Sequence, residues 1–113
     1  MREAAPRPGK NSTAARLAIL EALARGDVRP ALEALGSGDD RTRATALGAL
    51  AKAGALDARH VEASMADPSH RVRRAYAEIL ATDTRWPLDA LHADPIDSVV
   101  ETACWAAGEQ GLG

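Results

Sequence analysis

Phenylalanine is absent from this 113-residue chain, and aromatic residues make up only 3% of it. Alanine supplies much of the 46% hydrophobic content, so the apolar side chains have little volume each. Small side chains suit closely packed helices, whereas strands prefer aromatic and β-branched residues. The composition therefore predicts an all-α fold.

Cysteine is nearly absent as well, since Cys104 is the only one in the sequence. A single cysteine excludes an internal disulfide and a zinc site built from cysteines. No apolar run approaches the roughly 20 residues that a membrane-spanning helix needs. The N-terminal stretch MREAAPRPGKNST lacks the apolar middle of a secretory signal. We therefore expect a cytoplasmic protein that does not bind a membrane.

The chain divides into a short arm and a helical domain. Residues 1–11 contain two prolines, a glycine and scattered charges, which predicts a flexible arm. Residues 12–113 form the predicted domain, in which four long helices alternate with shorter ones. Capping residues and glycines set the predicted bounds of the long helices, which are 13–25, 40–53, 69–82 and 98–109. The predicted short helices are 27–35, 57–65 and 86–93.

An internal repeat underlies the long helices. Apolar positions recur along the chain at spacings of 27, 30 and 27 residues. Four sets of equivalent residues follow these spacings: Ala15, Thr42, Val72 and Val99; Ile19, Ala46, Tyr76 and Ala103; Ala22, Ala49, Ile79 and Ala106; Leu23, Leu50, Leu80 and Ala107. One such unit cannot bury its apolar stripe alone, but stacked units bury a continuous core. The third set places Ile79 in the predicted central core.

Two segments carry a family resemblance. DPSHRVRRAYAEILA (residues 67–81) and DPIDSVVETACWAAGEQG (residues 94–111) resemble HEAT repeats of the short bacterial type, also called PBS-lyase HEAT-like. The resemblance covers about residues 13 to 111 and implies an α-solenoid of about four helix pairs. It also implies a non-catalytic protein-binding or scaffold role, with another protein as partner.

The resemblance further implies a ladder of hydrogen bonds between units. In such repeats a loop aspartate typically bonds an arginine near the start of the long helix. Asp67 and Arg73 match this pattern, and Asp39 or Asp40 is the expected partner of Arg43. The alternative is that Arg16, Arg43 and Arg73, which occupy one equivalent position of the repeat, form a basic row for phosphate or for an acidic partner. Val100 takes the arginine position in the last unit, so the ladder should stop there.

Two surfaces are candidate interfaces. The first follows the long helices and contains Arg71, Arg74, Glu78, Glu101 and Trp105. The tryptophan there is either an interface anchor or a cover for its own terminal turn.

The second surface is an apolar line beside the core stripe of the last helix, made of Ile96, Val100 and Cys104. Such a line on a terminal unit predicts self-association or a partner, or else a further unit. By its alignment with Leu20, Leu47 and Ala77, Cys104 is also a candidate small core residue.

Other functions have weaker support. A nucleic-acid module would use Arg41, Arg43, Arg71 and Arg74, but the net charge is −2 and only two residues are lysine. The resemblance also implies a further alternative, in which the chain is an accessory subunit of a lyase-type enzyme that attaches bilins. No catalytic motif supports an enzyme, and we expect no cofactor and no metal because the three histidines lie in different units.

Overall fold

Six α-helices and one 3₁₀ helix make up the described part of the chain. A computed structural model describes residues 8–111, with their side chains from residue 13 onward. The α-helices are α1 (Pro8–Ala24), α2 (Arg29–Ala34), α3 (Asp40–Lys52), α4 (Ala58–Met65), α5 (His70–Ile79) and α6 (Asp97–Glu109). The 3₁₀ helix Asp89–Ala93 precedes α6. Residues 8–111 contain no strand, which confirms the predicted all-α class.

The four long helices contact one another in chain order. Helix α3 packs against α1 and α5, and α5 packs against α3 and α6. The shorter elements fill the remaining side, where α2 contacts α3, α4 contacts α5 and the 3₁₀ helix contacts α6. The molecule is consequently elongated, with extents of 55 × 33 × 20 Å.

Burial follows the repeat found in the sequence. Ile19, Ala46, Tyr76 and Ala103 are equivalent by spacing, and all four are buried. The core is continuous along the stack because each long helix gives the same stripe to its neighbours. Tyr76 is the largest fully buried side chain, and its hydroxyl donates to the carbonyl oxygen of Pro87 at 2.8 Å.

Short polar side chains begin three of the helices. Asp39 accepts from the backbone N–H of Thr42 at the start of α3. Asp57 and His60 form a reciprocal capping box at the start of α4. Ser69 caps α5, which begins at His70, one residue after the predicted start. The Asp67 carboxylate accepts from the N–H of Ser69 and from an arginine of α3.

Glycines in the left-handed conformation end three of the long helices. Gly26 follows α1 with φ of 80°, Gly54 follows α3 with φ of 71°, and Gly111 follows α6 with φ of 80°. After α3, the N–H of Ala55 donates to the carbonyl of Leu50 and that of Gly54 donates to Ala51. This is the Schellman arrangement, which satisfies carbonyls that a helix end leaves without partners.

Several predicted boundaries differ from the structure. Helix α1 begins at Pro8, ahead of the predicted start at residue 13, and proline is well tolerated in a first turn. Of the predicted arm, residues 1–7 lie outside the described residues. The predicted helix 86–93 is a 3₁₀ helix that begins at Asp89.

Helix α5 ends at Ile79 instead of the predicted Thr82. Ile79 is also only half-buried, so its predicted place in the central core is wrong. The fully buried neighbour Leu80 occupies the core at this level. Leu32 on α2 is 43% exposed.

Candidate interaction surfaces

An arginine near the start of α3 reaches the loop before α5. The Arg43 guanidinium donates from Nε and Nη2 to the Asp67 carboxylate at 3.0 and 2.9 Å. Its Nη1 donates at 2.9 Å to the carbonyl of Ser37, in the loop before its own helix. The two side chains are only 17% and 12% exposed. Arg43 therefore ties its own loop to the loop that precedes the next long helix.

Arg73 repeats this arrangement one helix further along. Its guanidinium donates from Nε and Nη2 to Asp94 at 2.6 and 3.2 Å, and from Nη1 to the carbonyl of Asp67 at 2.8 Å. Each arginine thus pairs with the aspartate of the following loop. The expected pairing of Arg73 with the Asp67 carboxylate is wrong, because the side chain extends toward the next long helix. Arg43 likewise pairs with Asp67 and not with Asp39 or Asp40.

These contacts hold the two loop aspartates in their charged form. The hydrogen bond from Arg73 lowers the pKa of Asp94. Burial alone would raise the pKa of Asp67, but hydrogen bonds from Arg43 and from the Ser69 N–H outweigh burial, and this pKa also falls. Bidentate pairs of this kind are strong and directional. They serve as fixed links between neighbouring long helices.

A second link joins α3 to the start of α5. The Asp40 carboxylate accepts from the Ser69 hydroxyl at 2.7 Å. It also lies 3.9 Å from the Arg71 guanidinium, whose side chain is 45% exposed. Arg71 was predicted to bind a partner. Its side chain lies against α3, so only part of it is accessible to a partner.

The ladder removes one of the four arginines that were considered as a nucleic-acid site, because that arginine is already paired. Arg43 is enclosed in its pair with Asp67, so it cannot reach a phosphate without breaking that pair. Arg74 lies 4.0 Å from Glu78 in an exposed pair on α5. Arg41 is exposed. The four arginines of the predicted nucleic-acid site thus do not form one free cationic patch.

The predicted partner face along the long helices is exposed. Glu78 and Glu101 lie at the surface of α5 and α6, and Trp105 is 52% exposed. Trp105 occupies the position that Gly48 takes in α3 and Glu78 takes in α5. Both roles expected of Trp105, interface anchor and cover of its own terminal turn, stay predictions.

An open groove on this side of the molecule was not foreseen from the sequence. It lies between α3 and α5, has a volume of about 330 Å³, and carries Lys52, Glu78 and Asp83 among its lining residues. Its floor consists of small residues and one isoleucine, namely Ala44, Gly48, Ala51, Ala75 and Ile79. The available signal was the spacing of three small residues, at positions 44, 48 and 51, along one side of α3.

The apolar line on α6 is partly open to solvent. Ile96 is 38% exposed, Val100 is half-buried and Cys104 is exposed. The Cys104 sulfur lies 3.9 Å from Nδ1 of His92, on the preceding 3₁₀ helix. The alternative of Cys104 as a core residue is therefore wrong, because its side chain is exposed, as is that of the equivalent Leu20 in α1.

Within residues 8–111, no group of three or more histidine, cysteine or carboxylate side chains could hold a metal ion. None of the helices described is long and apolar enough to cross a membrane. Comparison of the chain with protein-family models, with curated proteins and with solved structures found no match.

Proposed function

We propose that the protein is a non-catalytic protein-binding module built as a HEAT-like α-solenoid. The observation that carries this proposal is the groove between α3 and α5, together with a half-exposed tryptophan at the equivalent repeat position of α6. Concave apolar surfaces and exposed aromatic residues are typical of protein interfaces. The linear order of the long helices supports the solenoid, in which each unit contacts its neighbours.

The groove favours an amphipathic helix as the bound segment. Ala44, Gly48 and Ala51 leave room along α3, and Ile79 offers an apolar wall on α5. A helix with large apolar side chains on one face can set its ridge into such a channel. Lys52 and Glu78 at the groove carry opposite charges, so the partner helix should carry flanking charges of both signs.

Two substitutions at Gly48 test the groove. A Cβ at this position meets no atom within 4 Å, so both Gly48→Ala and Gly48→Glu should fold. The equivalent positions of α1 and α5 carry glutamates, Glu21 and Glu78, which supports tolerance of the longer side chain. Gly48→Glu fills the channel with a charged side chain, whereas Gly48→Ala leaves most of it open.

The measurement is affinity capture from the native cell, with quantification by mass spectrometry. We expect proteins enriched by the unmodified chain and by Gly48→Ala to be lost with Gly48→Glu and with Trp105→Ala. Equal capture by all four chains would overturn the groove as the binding site. Each captured candidate is then tested as a synthetic helix by fluorescence titration of Trp105.

Nucleic acid and bilin binding are tested on the same protein. We expect no change in the anisotropy of labelled single- and double-stranded DNA at low salt, because Arg43 is committed to Asp67. We expect no absorbance shift on addition of a bilin. A salt-sensitive anisotropy change would instead favour the nucleic-acid module, and a pigment shift the accessory lyase subunit.

We propose the cytoplasm as the location of the protein. Cys104 is a free and exposed thiol, which suits a reducing compartment. Fractionation of the native cell, with an antibody against the chain, tests this assignment. Recovery in a secreted fraction would contradict it.

A further inference from the structure

We propose that a crevice between the end of α2 and helix α4 binds a small organic carboxylate. The crevice has a volume of about 270 Å³, and it reaches the starts of α3 and α5. It is called the α2–α4 crevice below. None of its lining residues belongs to the groove between α3 and α5. The proposal therefore does not depend on the groove or on the partner that binds there.

His60 supplies a hydrogen-bond donor to this crevice. Its Nδ1 accepts from the backbone N–H of Asp57 at 3.1 Å, as part of the capping box of α4. A neutral imidazole that accepts at Nδ1 carries its hydrogen on Nε2. This Nε2–H has no acceptor among the described residues, although the side chain is only 13% exposed. A bound group with an acceptor oxygen would satisfy it.

Arg59 supplies the positive charge. Its guanidinium is 86% exposed and donates from Nη2 to Asp57 at 3.3 Å, which leaves its other N–H groups for a ligand. Asp57 itself is not one of the residues that line the crevice. The two other charged residues of the described lining, Arg43 and Asp67, are paired with each other. The uncompensated charge of the lining is therefore positive.

These features select the class of ligand. A carboxylate can accept from a guanidinium and from a neutral N–H at the same time. Phosphate groups, by contrast, are usually bound by clusters of arginines. Leu35, Ala63 and Val72 give the crevice an apolar part, which suits a hydrocarbon body. The volume lies just below the range of about 300–1,000 Å³ for ligand pockets, so the ligand is a small acid such as benzoate.

The repeat contains a similar crevice one unit earlier, with different chemistry. That crevice lies between α1 and α2 and has a volume of about 320 Å³. Its lining residues Pro30, Glu33 and Ala34 lie 30 positions before three residues of the α2–α4 crevice, namely His60, Ala63 and Ser64. Proline has no side-chain donor, and the glutamate adds a negative charge. The earlier crevice should consequently not bind a carboxylate, and it serves as a control within the same molecule.

Two variants remove the proposed contacts. His60→Glu keeps an acceptor at a capping-box position where glutamate is common, but it removes the Nε2–H donor and adds a negative charge. Arg59→Gln removes the positive charge of an exposed side chain. Arg29→Gln is the matched control. Arg29 lies 30 positions earlier, is 83% exposed, and contacts Asp27 in the way that Arg59 contacts Asp57.

Titration with sodium benzoate, followed by nuclear magnetic resonance of the full chain, measures binding. Each titration is made at constant ionic strength. We expect saturable shifts of the Ala63 and Ser64 amides, with a dissociation constant in the millimolar range. The Glu33 and Ala34 amides of the earlier crevice should not shift comparably. Benzamide has nearly the same shape without the charge, and it should bind about tenfold more weakly or less.

The variants decide the proposal. We expect about tenfold weaker benzoate binding by His60→Glu and by Arg59→Gln, and unchanged binding by Arg29→Gln. Gly48→Glu should bind benzoate like the unmodified chain, so failure of the groove and failure of the crevice are distinguishable. Absence of saturable shifts in the unmodified chain, equal shifts in both crevices, or equal binding by all variants would overturn the proposal.

A second probe tests whether the carboxylate belongs to a protein side chain instead. N-acetylglutamate amide presents the carboxylate of a glutamate residue without the aromatic body of benzoate. We expect it to bind more weakly than benzoate, because it gains less from the apolar part of the crevice. Tighter binding of this probe would identify an acidic peptide as the occupant and overturn the small acid.

Discussion

Gly48 lies inside α3 and Gly54 lies just after it, and the two glycines have different backbone conformations. Gly48 lies inside the helix, where glycine costs more conformational entropy than alanine. Gly54 has φ of 71°, which an L side chain rarely adopts. A Cβ at either position meets no atom within 4 Å, so steric overlap does not separate them. Only the backbone conformation does.

We therefore predict opposite effects of the same substitution. Gly48→Ala should raise the free energy of unfolding by about 0.5–1 kcal/mol. Gly54→Ala should lower it by about 1 kcal/mol, because alanine is strained at this φ. Urea titration followed by circular dichroism measures both. Changes of the same sign would show that the end of α3 is not the Schellman arrangement described above.

Arg73 and Arg74 are sequence neighbours with different surroundings. The Arg73 side chain is 13% exposed and is paired with Asp94, which is 5% exposed, whereas Arg74 and Glu78 are both more than half exposed. Arg73→Ala leaves a buried carboxylate without its partner and should cost about 2–4 kcal/mol of stability. Arg74→Ala should change it by less than about 0.5 kcal/mol. Thermal or urea unfolding that shows equal losses would contradict the ladder.

Ile96 and Ser69 occupy equivalent positions before α6 and α5, and this comparison belongs to the scale of the helix. Ile96→Ser should supply the missing side-chain acceptor for the first turn of α6 and add about 1 kcal/mol of stability. Hydrogen exchange of the α6 amides is the measurement. Faster exchange after the change to serine would mean that Ile96 stabilises α6 by packing.

The sequence predicted the helices better than the links between them. Helical spacing and capping residues located α3 and α4 closely, because both signals are local. The partner of Arg73 was predicted wrongly because it depends on which way the side chain extends between stacked helices. The groove was missed for a related reason. Small residues along α3 show that space exists, but only the position of α5 decides whether that space is filled.

The Arg–Asp pairs of the ladder also make the stability of the whole molecule depend on pH. The folded-state pKa values of Asp67 and Asp94 are lowered, so both aspartates bind protons less readily when the chain is folded. The unfolded chain then binds more protons near the ordinary aspartate pKa of about 3.9. Stability from these pairs is present above this value and is lost as the pH falls through the folded-state pKa values. The two links span α3 to α6, so acid should loosen the stack along much of its length.

We accordingly predict how these two aspartates contribute to the free energy of unfolding. Their contribution should stay nearly level from about pH 7 to pH 5 and then fall steeply toward pH 2. Urea titrations at each pH measure the curve. Asp94→Asn should be less stable at neutral pH and show a shallower fall in acid, because one of the two titrating links has been removed.

Asp89→Asn is the control for loss of one negative charge, since this aspartate is exposed at the start of the 3₁₀ helix. An Asp94→Asn curve parallel to that of the unmodified chain would mean that the link between α5 and α6 does not stabilise the stack. A shallower curve only for Asp94→Asn would show that this link, and not net charge, sets the acid limit.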